Sequence, residues 1–292
     1  MTQYNASVEV ASSADRPPLG ARAPSGLSPA APSLPAQGGT GRRVVASGIG
    51  TSSQPHKVGS MGAKIALFDL DHTLLPIDSD HAWGEFTIAR GWVDPADFKR
   101  KNDAFYAQYQ AGTLDVYAYV RFATEAICRQ GAINSIAAHA DFMGSTVQKS
   151  IKPQALELVR EHQRNGDLVV IVTATNEFVT RPIAQAFGVS HLIAVELERD
   201  EQVGGSGWFT GAIRGVPSFR EGKVTRVEQW LQSRGLAWDS VHTTFYSDSM
   251  NDLPLLEKAT VPVATNPDAR LRALALERGW RILDLFNGPP AD

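Results

Sequence analysis

The chain has 292 residues, 43% of them hydrophobic and 20% charged, with a formal net charge of −3 and one cysteine. That is enough chain for one large domain or two smaller ones with a sizeable buried core. The lone Cys128 excludes an internal disulfide and fits a reducing, cytoplasmic setting. No apolar run approaches the roughly 18 residues of a membrane span, and the acidic balance speaks against a nucleic-acid-binding surface.

Residues 1–60 are rich in Ala, Ser, Pro and Gly and show no periodicity that would bury a face. Such a segment cannot offset its ordering entropy and is expected to be disordered. It carries a net +3, from Arg16, Arg22, Arg42, Arg43 and Lys57 against Glu9 and Asp15, which leaves −6 for the remainder. The apolar core of a secretory signal is missing. A transit peptide is arguable, since no acid occurs between Asp15 and Asp69, but the Pro-rich middle is poorly amphipathic. The favoured expectation is that Met61, directly before the first strand, is the natural start.

Ile65 to Phe68 is an apolar run that suits a buried strand and is too short for a helix. It stops at Asp69, with Asp71 two residues on. A long helical region follows, from about His81 to Lys149. Asp94-Pro95 is a helix start, with Asp as N-cap and Pro in the first turn, and Gly91, Gly112, Gly131 and Gly144 divide the region into helix-sized pieces. Its many aromatics, Trp83, Phe86, Trp92, Phe98, Phe105 and Phe142 among them, are expected to form mainly a bundle core.

An α/β rhythm then runs to the end. A helix opened by Pro153 precedes the strand Leu168 to Val172, which ends at Thr173. Helix Glu177 to Phe187 follows, then a strand and hairpin between Leu192 and Gly215, turned at Gly204, Gly205 and Gly207. Next come helix Gly222 to Arg234, strand Thr243 to Ser247, helix Asp252 to Lys258, strand Val261 to Ala264, a helix opened by Asn266-Pro267, and a short strand near Arg281. This alternation predicts an α/β fold with a doubly wound, mainly parallel sheet and an inserted helical-bundle cap. The expected division is an α/β core at 61–80 and 150–287 and a helical cap at 81–149.

Polar groups recur at the carboxyl ends of the strands: Asp69 and Asp71, Thr173, and Asp248 with Asp252 four residues on, while Lys223 opens an intervening helix. In an open parallel sheet these positions converge on one crevice. Carboxylates so gathered repel one another unless a cation sits among them, and oxygen-only ligands favour Mg²⁺. With a lysine and a threonine hydroxyl to hold an anion, the set describes a phosphoryl-transfer site. A carboxylate can also be the nucleophile there.

The segments D69-L-D71-H-T73, V-I-V-T173-A-T, E-G-K223-V and S-D248-S-M-N-D252 resemble, in order, the four motifs of the haloacid dehalogenase-like hydrolase superfamily, over about Lys64 to Leu283. The position of the helical insertion resembles the subfamily that includes phosphoserine phosphatase. The resemblance implies that Asp69 is the nucleophile and Asp71 the general acid and base. It implies a Mg²⁺ site made by Asp69, the carbonyl of Asp71, and Asp248, with Thr173 and Lys223 on the phosphoryl oxygens and Asp252 in support. The run D78-S-D80-H81-A-W83, with F-R-E-G-K-V and Y-S-D-S-M-N-D, is more similar to the bacterial histidinol-phosphate phosphatases of that subfamily. Asp78, Asp80 and Trp83 are therefore expected to set specificity, the two acids having a helix cap as their alternative role. The expected partner is a small phosphorylated metabolite, histidinol phosphate first and phosphoserine or a broader range as alternatives, with no nucleic acid or membrane partner. Transfer to another acceptor and a non-catalytic phosphate-binding role are the rival readings. Either a monomer or a homodimer is compatible with the sequence.

Overall fold

The structure, a computed structural model, describes residues 62–286. The expectations about residues 1–60 and Met61 lie outside the described residues. A six-stranded sheet forms the centre, in the order β3-β2-β1-β6-β7-β8, with every neighbouring pair parallel. Its strands are β1 (Ala63–Phe68), β2 (Leu168–Asn176), β3 (His191–Val195), β6 (Val241–Ser247), β7 (Val261–Thr265) and β8 (Arg281–Leu283). β4 (Leu197–Arg199) and β5 (Phe209–Ile213) make a separate antiparallel hairpin.

Side chains alternate across the sheet as the pleat requires. Ala66 and Phe68 join one core with Val159 of α5 (Pro153–Arg164) and Val179 and Ile183 of α6 (Glu177–Ala186). Ile65 and Leu67 join the other with Val227 of α7 (Glu221–Gln232), Leu255 of α8 (Leu253–Lys258) and Leu271 of α9 (Ala269–Arg278). Covering both faces explains why β1 and β2 read as continuous apolar runs. The order of winding reverses between β1 and β6, so the crevice beyond the sheet opens at the ends of those two strands.

The insertion consists of α1 (Ser79–Ala89), α2 (Pro95–Ala111) and α3 (Val116–Phe142), continued by a π-turn (Met143–Val147) and the short α4 (Gln148–Ser150). Each long helix starts on an aspartate cap: Asp78, Asp94 and Asp115 accept from backbone N–H groups of the first turn. Gly112 ends α2 at φ 73°, and Gly131 breaks α3 at φ 72° and ψ 179°. Gly144 does not end a helix; the backbone passes through it in the π-turn instead.

Most cap aromatics pack inward, though Tyr106 and Tyr117 are exposed. Trp83 is 1% exposed. Its ring lies 5.5 Å from both Phe86 and His139, 5.3 Å from Phe142 and 5.6 Å from Phe178 on α6, centroid to centroid. The cap thus grips the core through aromatic contact, and Trp208 of the hairpin adds an indole N–H to the carbonyl of Ile127 at 3.0 Å.

Three boundaries differ from the sequence expectation for local reasons. β2 runs on to Asn176, because its end pairs with Val195 after a register shift. α1 begins at Ser79, where Asp78 caps it. α9 is opened by Asp268, which accepts from Leu271 N–H, and not by Asn266-Pro267. Asn266 instead takes φ 47° and gives its side-chain N–H to the carbonyls of His72 and Thr73 at 3.0 and 3.3 Å.

Candidate active site

Asp69 extends the β1 ladder by one step, its N–H donating to the carbonyl of Tyr246 at 2.9 Å. The chain then turns sharply, with His72 at φ 58° and the N–H groups of Leu74 and Leu75 returning to the carbonyl of Leu70. That turn aims the Thr73 hydroxyl back at the acids, 3.3 Å from Asp69 Oδ2 and 3.2 Å from Asp248 Oδ1. Across the crevice, Lys223 is 2% exposed and stands between two carboxylates, donating to Asp69 Oδ1 at 2.8 Å and to Asp252 Oδ2 at 2.7 Å. Ser247 at the end of β6 donates to the same Asp252 oxygen at 2.7 Å.

Asp71 is held apart from this group. Its carboxyl accepts from the Ser79 N–H at 2.7 Å and from the Thr175 hydroxyl at 2.8 Å. Thr173, at 1% exposure, accepts from the Thr175 N–H at 3.1 Å and keeps its own O–H to give. The structure therefore joins Asp69, Lys223, Asp248 and Asp252 through one network, and sets Asp71 and Thr173 on a second one carried by β2.

Burial first, and then neighbouring charge, explain the protonation tendencies. Burial pushes Asp71 up from 3.8 to about 8, helped by the negative charge of Asp78. Burial also raises Asp248 well above the carboxylate range, with Asp69 and Asp252 adding repulsion. Asp252 rises through burial too, against the pull of Lys223. Burial alone would lower the Lys223 ammonium, but Asp252 and Asp69 more than reverse this and hold it above its ordinary value.

One ammonium thus faces the buried carboxylates of Asp69 and Asp252 and the half-buried one of Asp248, a net deficit of positive charge. The Thr73 hydroxyl has one proton and two carboxylates to serve, so Asp69 and Asp248 are not both satisfied by it. All nearby donors are oxygens. A divalent, oxygen-preferring cation such as Mg²⁺ fits this deficit. Among the described residues no three His, Cys, Asp or Glu side chains form a metal cage by themselves, and a carboxylate pair completed by carbonyl and water is the usual Mg²⁺ arrangement. The Asp71 side chain is already engaged, so its share in such a site would be through its carbonyl.

The three residues expected to set specificity are placed differently from one another. Asp78 is exposed and caps α1, accepting from the Asp80 and His81 N–H groups at 2.9 Å. Asp80 is buried, accepting from the Tyr119 hydroxyl at 2.7 Å and the Asn176 amide at 3.3 Å. Trp83 is enclosed by the aromatic cluster and is not brought to the acids, because its large apolar ring is what that cluster buries.

Asp80 gives a stability prediction. Burial, then the charge of Asp78, raise its carboxyl from 3.8 to about 7. The native state then holds this proton more tightly than the unfolded chain, so stability falls as pH rises from about 4 through 7 and levels off above. Asp80→Asn keeps the shape and removes the titration. Its melting temperature relative to the parent should rise between pH 5 and pH 8; an offset constant with pH would contradict the assignment.

Sequence reasoning did not single out Thr73, Thr175, Tyr119 or Asn176. The first two lie inside the quoted motifs, and the visible signal was their spacing: Thr73 is one helical turn beyond Asp69, and Thr175 is two along the strand from Thr173, on its face.

The family model described as haloacid dehalogenase-like hydrolase matches residues 66–257. The chain belongs to this family. Like other haloacid dehalogenase-like hydrolases, it is an enzyme, and its relatives include named phosphatases. It is 42% identical over 221 residues to the histidinol-phosphatase of Neisseria meningitidis serogroup C, covering 75% of this chain and 98% of that protein. It is 31% identical over 222 residues to a phosphoserine phosphatase of Mycobacterium tuberculosis, covering 75% of this chain and 70% of that one. A solved structure of a protein of unknown function from Bordetella pertussis Tohama I superposes with a TM-score of 0.72 at 47% identity, covering 77% of this chain and all of that one. Among the described residues no helix is long and apolar enough to cross a membrane.

Proposed function

We propose that this hydrolase is a Mg²⁺-dependent, cytoplasmic phosphomonoesterase acting on histidinol phosphate through a phosphoaspartate on Asp69. The observation that carries the reading is Lys223 seated between Asp69 and Asp252, with Asp248 tied to Asp69 through Thr73.

Asp69 attacks phosphorus, forming an O–P bond as the ester P–O bond breaks. Asp71, on its separate mount of Ser79 and Thr175, gives its proton to the leaving alkoxide. Asp71 then takes a proton from water as the water oxygen attacks phosphorus, the Asp69–phosphorus bond breaks, and orthophosphate leaves. Thr173 and Lys223 hold the phosphoryl oxygens. Bound by Asp69, Asp248 and the Asp71 carbonyl, Mg²⁺ would neutralise charge on the phosphoryl group. Helices between residues 81 and 149 act as the cap that excludes water.

Two features favour histidinol phosphate. The N. meningitidis relative is matched over nearly its whole length. Phosphoserine carries a carboxylate that calls for a committed arginine, but Arg90, Arg100 and Arg129 are bound to Asp141, Asp97 and the carbonyl of Trp92, and Arg121 is exposed. Histidinol phosphate carries no carboxylate and makes no such demand.

The test is phosphate release from a panel containing L-histidinol phosphate and L-phosphoserine. We expect at least a ~10-fold preference in kcat/KM for the former, as one well-placed polar contact can give. Activity should vanish with chelator and return with Mg²⁺. Equal, slow rates across the panel would defeat the substrate assignment, and recovery of the phosphoryl group on another metabolite would make the enzyme a transferase.

A further inference from the structure

Arg220 occupies a junction that this mechanism does not use. Its backbone lies at φ 53° and ψ −123°, a strained setting for a residue with a β-carbon that persists only where the surroundings impose it. The turn it closes is tight. Gly222 N–H donates to the carbonyl of Phe219 at 2.9 Å and Lys223 N–H to that of Arg220 at 3.0 Å, and a β-carbon on Gly222 would fall 2.0 Å from the carbonyl oxygen of Pro217. This turn starts α7 and so fixes where Lys223 stands.

The guanidinium reaches two other parts of the molecule. Nε donates to Asn251 Oδ1 at 3.2 Å, and Nη1 donates to the carbonyl of Gly112 at 2.9 Å. Asn251 adjoins Asp252, the partner of Lys223. Gly112 is the C-cap of α2, and a β-carbon there would lie 2.7 Å from Arg220 Nη2. Nearby on α2, the Tyr109 hydroxyl pairs with Ser249 Oγ at 3.1 Å. The ring of Phe219 lies 6.4 Å from that of Tyr109 and 5.5 Å from the Arg220 guanidinium carbon.

We propose that Arg220 is a positioning residue that couples the seating of α2 on the core to the geometry of the Lys223–Asp252 pair. The inference rests on the phosphomonoesterase reading for its activity measurements, not for its structural one. When Gly112 engages the guanidinium, the same planar fork steadies Asn251, and with it the loop that holds Asp252. Closure of the cap and alignment of the phosphate-holding lysine are thereby one event. A lysine at 220 would keep the charge but not the fixed fork that serves two acceptors.

The test compares Arg220→Gly and Arg220→Lys in the full chain. Glycine accepts the positive φ without strain, so the melting temperature of Arg220→Gly should not fall. Its kcat on both L-histidinol phosphate and p-nitrophenyl phosphate should fall at least ~10-fold with KM within ~3-fold, the pattern of lost transition-state alignment. Millimolar guanidinium chloride should restore part of that kcat in Arg220→Gly and none in Arg220→Lys. Amide hydrogen exchange over Tyr109 to Leu114 should quicken in both variants.

A kcat for Arg220→Gly within about twofold of the parent, or a loss of kcat that tracks a loss of melting temperature without guanidinium rescue, would overturn the proposal. If the parent enzyme releases no phosphate from either compound, the phosphomonoesterase reading fails on its own. The exchange measurement then decides the seating role: quickening supports it, and unchanged exchange ends it.

Discussion

Asp69→Asn should lower phosphate release by at least ~10³-fold while leaving the protein folded, because the amide cannot form the acyl phosphate. Its carbonyl oxygen can still accept from Lys223, and Lys223 still holds Asp252 at 2.7 Å. One negative charge leaves a site that has too many, so thermal stability should hold or increase. Steady-state release of phosphate and a thermal melt, run on the same preparation, check both halves. Residual turnover above about one per cent would remove Asp69 from the nucleophile's role.

Lys223→Met should be damaging in a second way. The ammonium is the one cation bonded to Asp69 and Asp252 among the described residues, and both acids are less than 10% exposed. Removing one partner of a buried ion group strands the other charges, which costs about 3–5 kcal/mol. We therefore expect loss of turnover together with a lower denaturant midpoint. Adding Asp252→Asn to Lys223→Met should recover part of the stability and none of the activity. A Lys223→Met protein as stable as the parent would show that the acids are already neutral without the lysine.

These expectations rest on residues of two kinds. Asp69, Asp71, Lys223, Asp248 and Asp252 were legible in the sequence because each follows a strand or opens a helix, and strand ends in a doubly wound sheet share one crevice. The alternation that places them there is a periodic signal, as is the helical insertion. Tyr119, Asn176 and Arg220 were not legible as contributors, since their roles depend on contacts between segments far apart in the chain. Tyr119 reaches Asp80 from α3, and Arg220 reaches Gly112 from α7. Trp83 shows the opposite failure. Its place beside two acids in the sequence suggested a substrate contact, but the helical period turns its side chain toward Phe142 and Phe178, where an indole is best buried. Gly144 misled for a similar reason, since glycine permits a helix end without requiring one.

The strand order also bears on how the molecule is built during synthesis. β1 is the earliest of the described strands to leave the ribosome, yet its partners begin only at Leu168 and Val241. The whole cap is made before either arrives. A nascent chain thus carries an apolar strand, Ile65 to Phe68, with both edges open until β2 and then β6 emerge, and such edges invite wrong pairing. The acid pair of Asp69 and Asp248 comes together only when β6 docks, so a chain halted short of Val241 would have a folded-looking helical half and lack that pair.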